Sequence, residues 1–133
     1  STITFISHSK NEMKFTEKNL QKEKELLFIK SPFLSSSPSY SNIEYYLNKT
    51  KEIINRELSY INIGGFLVIQ TQDVRIDGYL EPIAKRFVDM FTFDNLWLKE
   101  IIIVNQEKLN PDINKLEGYL NITHEYLLVY EKI

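Results

Sequence analysis

The chain contains no cysteine, which excludes both a disulfide framework and a thiolate metal site. Its two histidines, His8 and His124, lie far apart in sequence, so a structural zinc is not expected. Long hydrophobic runs are also missing. The longest, Gly64 to Ile69 and Ile101 to Val104, fall far short of the roughly 20 residues that cross a bilayer. The first residues lack the basic and apolar regions of a secretion signal, and the expectation is a soluble, cytoplasmic protein. Charge of one sign is lacking too: 16 Lys and Arg stand against 18 Asp and Glu, a formal net charge of −2. A nucleic-acid partner would therefore need a local basic face.

What is present is a core. With 43% of its 133 residues apolar and 13% aromatic, the chain can bury the interior of one domain. No linker or internal repeat divides it, so residues 1–133 are read as a single domain.

Ser1 to Ser7 alternates with Ile3 and Phe5 on one side, which predicts a short strand. Lys10 to Glu25 is charged and reads as a loop or weak helix. Leu26-Leu27-Phe28-Ile29 is a compact apolar run before Ser31-Pro32, either a strand or the buried end of a helix, and Phe33 to Ser36 reads as a short strand entering a serine-rich turn. From Asn42, a plausible N-cap, apolar residues Ile43, Tyr46, Leu47, Ile53, Ile54, Leu58 and Ile61 recur at helical spacing. The helix is expected to stop at Gly64-Gly65. Phe66 to Thr71 then reads as a central strand buried on both faces of a parallel sheet.

Gln70 to Tyr79 is a polar loop holding Asp73, Arg75 and Asp77. A second helix follows, with Pro82 in its first turn and Leu80, Ile83, Ala84, Phe87, Val88 and Phe91 facing inward. Leu96 to Val104 and Glu125 to Lys132 make two final strands with no helical pattern between them, hence an antiparallel pair joined by a long loop. The fold class expected is α/β, a mostly parallel sheet ending in an antiparallel hairpin.

Three stretches carry a family likeness: Ser37-Pro38-Ser39-Tyr40, the strand Gly64-Gly65-Phe66-Leu67-Val68-Ile69 with Asp73-Val74, and the terminal strand Ile122 to Lys132. In this order they resemble the catalytic half of the S-adenosylmethionine-dependent DNA amino-methyltransferases. Those enzymes methylate cytosine N4 or adenine N6 on a Rossmann-like sheet. The first stretch is similar to the family's catalytic tetrapeptide, Ser, Asp or Asn followed by Pro-Pro and an aromatic residue.

The resemblance implies that Ser37 Oγ and the Pro38 carbonyl accept hydrogen bonds from the target amino group while Tyr40 stacks on the flipped base. It further implies a substrate-binding role for Asp73, beside the base or cofactor, and for Arg75, on a DNA phosphate. A surface turn with a local Arg-Asp pair accounts for the latter two equally. Two departures stand out. The family's second proline is here Ser39, and the glycine-rich cofactor loop is missing from a chain whose glycines are Gly64, Gly65, Gly78 and Gly118. The implied partners are DNA and a cofactor half supplied by further sequence, a partner protein or a homodimer, without membrane or metal. The alternative is an inactive methyltransferase-like scaffold or nucleic-acid-binding subunit.

Overall fold

Alternating burial turns the apolar runs into strands, and every third or fourth apolar residue turns the longer segments into helices. The computed structural model describes residues 2–7, 13–17, 21–30, 39–91, 94–105 and 124–133, with side chains for 21–30, 39–91, 94–104 and 125–133. The elements are β1 (Thr2–Ser7), β2 (Met13–Glu17), β3 (Lys24–Lys30), α1 (Tyr40–Glu57), a 3-10 turn (Leu58–Tyr60), β4 (Ile61–Thr71), β5 (Val74–Ile76), β6 (Tyr79–Glu81), α2 (Ile83–Met90), β7 (Leu96–Asn105) and β8 (His124–Lys132).

Six strands form one sheet in the order β2-β1-β3-β4-β8-β7, and β5 pairs with β6 apart from it. Only the β1–β3 and β3–β4 pairs are parallel; β1–β2, β4–β8 and β7–β8 are antiparallel. The sheet is thus mixed, where the sequence pointed to a mostly parallel one. Two features cause the difference. Residues 13–17, read as part of a charged connector, pair with β1 as a strand, Phe15 opposite Phe5. The last strand, β8, inserts between β4 and β7 and runs against both.

Register aligns the core into ranks. Leu27, Leu67 and Tyr130 are cross-strand neighbours, as are Ile29, Ile69 and Leu128. All six are buried and share one cluster with Ile43, Leu47, Ile53 and Ile54 of α1 and Ile83 and Phe87 of α2. Tyr46 meets Phe87 edge-on at 5.3 Å between ring centroids, and Phe91 stacks on Phe87 at 5.4 Å. Both helices therefore cover the same face of the sheet. The opposite face carries Leu26, Phe28, Phe66, Val68, Leu127 and Val129, all partly exposed. β4 is central as expected, and among the described residues helices pack on only one of its faces.

Helix α1 begins and ends earlier than its periodicity suggested. Ser39 is the N-cap, and its Oγ accepts the Asn42 N–H at 3.2 Å. At the far end, Lys132 Nζ donates to the carbonyls of Leu58 and Ile61 at 2.8 and 2.7 Å, tying the last strand to the turn between α1 and β4. Gly64 and Gly65 lie inside β4, where the ladder slips from Lys24–Ile61 to Leu26–Phe66. Gly64 takes φ +84°, and a Cβ on Gly65 would sit 2.8 Å from the carbonyl oxygens of Asn62 and Glu25. The glycine pair thus serves a bulge in the strand rather than a helix end.

Beside that bulge is a buried ion pair. Glu57 accepts hydrogen bonds from Lys24 Nζ and the Gln21 N–H, both at 2.7 Å. Burial pushes the Glu57 carboxyl upward, but the Lys24 and Gln21 bonds and the charges of Lys24 and Arg56 outweigh it and hold the group below its ordinary value.

The polar stretch after β4 is a hairpin. Asp77 and Gly78 form its turn with φ of 52° and 83°, the conformation that Asp-Gly adopts between paired strands.

Candidate functional site

Strands β3 and β4 run parallel, so their C-terminal ends, Lys30 and Thr71, lie at the same rim of the sheet. Ligands of open α/β sheets bind at such rims.

Asp73 lies just past Thr71, the last residue of β4. Its Oδ1 accepts the N–H of Ala84 at 3.1 Å, across eleven residues of chain. The local reason is Pro82, the N-cap position of α2, which offers no side-chain acceptor; Asp73 supplies the missing oxygen from a distance. A carboxylate there also faces the positive end of the helix. Burial raises the Asp73 carboxyl and prevails over the opposing bonds from the Ala84 and Ile83 amides, so the net displacement is upward.

Asp73 also borders a cleft of about 320 Å³. One wall is Ala84, Lys85 and Val88 of α2; the other is Ile101 of β7 with Tyr126 and Leu128 of β8. The Tyr126 phenol is displaced upward, first by burial and then by the negative charge of Asp73, which ties the two groups together electrostatically. Lys85 Nζ at the mouth pairs with Asp89 at 2.6 Å. The cleft is lined mostly by apolar side chains, with the Asp73 carboxylate and the Tyr126 phenol among them, suited to a flat or aliphatic group bearing a hydrogen-bond donor.

The residues singled out in the sequence are distributed as follows. Ser37 and Pro38, and the short strand read at 33–36, lie outside the described residues. Tyr40 is the first residue of α1 and is 54% exposed. Arg75 Nη1 donates to the Gly78 carbonyl at 3.2 Å and braces the hairpin turn. Neither Tyr40 nor Arg75 lines the cleft. Ser39, the departure from the family tetrapeptide, is the α1 N-cap, a task that needs the side-chain oxygen proline lacks. Sequence reasoning missed Lys85 and Tyr126. Tyr126 was visible only as one residue of an apolar run, and Lys85 as the polar side of a helix.

Among the described residues no group of three His, Cys, Asp or Glu is placed to hold a metal, and no helix is long and apolar enough to cross a membrane. No protein-family model matches the chain, and no curated protein matches it in sequence. Among solved structures it aligns with TehB from Haemophilus influenzae at 12% identity and a TM-score of 0.44. The alignment covers 86% of this chain and 37% of that one, so the chain spans well under half the length of the protein it aligns with.

Proposed function

We propose that this chain is the catalytic half of a methyltransferase acting on the exocyclic amino group of cytosine or adenine in DNA. One observation carries the reading: the succession β3, α1, β4, α2, β7, β8, with the last strand inserted antiparallel between β4 and β7. In that arrangement β3 and β4 are adjacent parallel strands, and Asp73 follows the end of β4; the reading assigns the sequence leading from β3 into α1, Ser37 to Tyr40, to the same rim. An exocyclic amino nitrogen is a poor nucleophile because its lone pair is delocalised into the ring. Two acceptors on its N–H groups, Ser37 Oγ and the Pro38 carbonyl, hold it pyramidal and free the pair. Tyr40, exposed at the start of α1, is the stacking surface for a base turned out of the duplex.

The implied methyl donor is S-adenosylmethionine, and the described residues do not fit it. Gly64 and Gly65 lie in the β4 bulge, the space a Cβ would need at Gly65 is closed by two carbonyls, and Gly78 lies in a hairpin turn. The donor's cradle belongs to residues outside those described or to a partner chain.

A second reading, a methyltransferase-like scaffold or nucleic-acid-binding subunit, is favoured by a different observation. Asp73 and Arg75, the two residues assigned to substrate, each bond to the chain's own backbone. Titration calorimetry with S-adenosylmethionine on the full-length gene product, followed by labelled-methyl transfer to DNA and RNA in parallel, separates the two. The catalytic reading expects donor binding and transfer to DNA that Ser37→Ala or Tyr40→Ala abolishes without unfolding. It also expects Asp73→Asn, which keeps an acceptor for Ala84, to lower transfer at unchanged melting temperature. No binding and no transfer leave the scaffold; transfer to RNA alone reassigns the substrate.

A further inference from the structure

Several charges drawn out of solvent in this fold have an opposite partner: Glu57 has Lys24, and Arg86 bridges Glu44 and Glu81. Asp73 has none. This half-buried carboxylate accepts the amides of Ala84 and Ile83, and no Lys or Arg among the described residues acts on it. Two amides use about half of the roughly four lone-pair sites of a carboxylate, so acceptor capacity remains on a group that borders the cleft. Drawing an unmatched charge out of water is costly, and the Asp73 carboxyl is displaced upward accordingly. A cation brought to the site would recover that cost.

Tyr126 stands beside it. It is the cross-strand partner of Thr71, two residues before Asp73, its phenol feels the Asp73 charge, and its hydroxyl has no hydrogen bond among the described residues. The rest of the lining is aliphatic, Ala84, Val88, Ile101 and Leu128, apart from Lys85, whose ammonium is held by Asp89 at 2.6 Å. With Lys85 matched in this way, the unbalanced charge facing the cleft is that of Asp73. Anions are repelled there, and a wholly apolar molecule would cover the carboxylate and the phenol without bonding to either. The cleft, about 320 Å³, lies at the lower end of the roughly 300–1,000 Å³ of small-molecule sites.

We infer that the cleft binds a small protonated amine, with its ammonium on Asp73 and Tyr126 and its aliphatic or aromatic body between α2 and strands β7 and β8. An ammonium carries three donors and no acceptor, which suits two neighbouring oxygens of which one is charged. Tyr40 and Arg75 do not line the cleft, so the amine is a ligand distinct from the base of the methyl-transfer reading; Asp73 is common to the two.

The test uses three molecules with the same six-carbon tail, hexylamine, hexanol and hexanoate, titrated at neutral pH into the full chain labelled with nitrogen-15. Hexylammonium is expected to bind saturably and to shift the amide signals of Ala84, Val88 and Leu128. Hexanol should bind about tenfold more weakly, and hexanoate not at all. Asp73→Asn, which keeps an oxygen for the Ala84 amide, should weaken hexylammonium about tenfold or more and leave hexanol unchanged, at the melting temperature of the native chain. Lys85→Met should not weaken hexylammonium, whereas an anion site would lose its ligand. Equal affinity for hexylamine and hexanol, a preference for hexanoate, indifference to Asp73→Asn, loss on Lys85→Met, or shifts scattered away from the cleft would each overturn the proposal. If Asp73→Asn fails to fold, the three probes on the native chain decide alone. Neither a methyl donor nor DNA enters the titration, so a chain inactive in methyl transfer is still expected to bind the amine, and failure to bind it leaves the methyl-transfer reading standing.

Discussion

Two runs of four apolar residues, Phe66 to Ile69 in β4 and Ile101 to Val104 in β7, are nearly interchangeable in composition, yet they end in opposite surroundings. Leu67 and Ile69 are fully buried under α1 and α2, while Ile101 and Ile103, which point to the same side of the sheet, are 50% and 59% exposed. Nothing in either run accounts for this. What separates them is rank in the sheet: β4 has β3 and β8 beside it, and β7 is last. An apolar run specifies a strand; its depth is set by what the rest of the chain places around it.

The contrast can be broken or sharpened by substitution. The largest effect is expected under the helices. Phe87→Ala removes a fully buried ring that touches Tyr46 and Phe91 and should cost about 3–5 kcal/mol in urea denaturation; a loss below about 1 kcal/mol would mean that α2 does not seal the core.

Next comes Glu57→Gln, which leaves Lys24 buried beside a neutral partner and should cost on the order of 3 kcal/mol. Its pH dependence has a fixed sign. Because the folded-state pKa of Glu57 is lowered, the stability it contributes is full above the unfolded value, about 4.3, and lost as pH falls through the folded one. Denaturation at a series of pH values should therefore show wild type and Glu57→Gln converging in acid. Convergence on raising the pH would contradict the ion pair.

Gly65→Ala sets a methyl against two backbone carbonyls and should cost about 1–3 kcal/mol, read from the shift of the denaturation midpoint. The smallest effect belongs to the edge: Ile102→Lys should change stability by no more than about 0.5 kcal/mol. A loss comparable to that of Phe87→Ala would erase the difference between the two strands.

Much of the local structure was legible because its signals are short-range. Strands at residues 2–7, 66–71, 96–104 and 125–132, the helix of Tyr46 and Leu47, and the helix of Phe87 all follow from period two or period 3.6 within a few residues. Asp77-Gly78 was an equally local hairpin signal, overlooked because the polar groups around it drew a functional reading. In the candidate site, Asp73 was picked out by its place after a strand, whereas its bond to Ala84 depends on where α2 docks.

The sequence by itself determined that this chain would be an α/β protein with a terminal antiparallel pair, since alternation and helical spacing act between neighbours. Tertiary structure alone decided that β8 would slip between β4 and β7, that both helices would cover one face, that Asp73 would cap α2, and that β7 would be left at the edge. Each of these depends on pairing between residues far apart in the chain. Loop closure and packing choose among such pairings, and no window of sequence contains both partners.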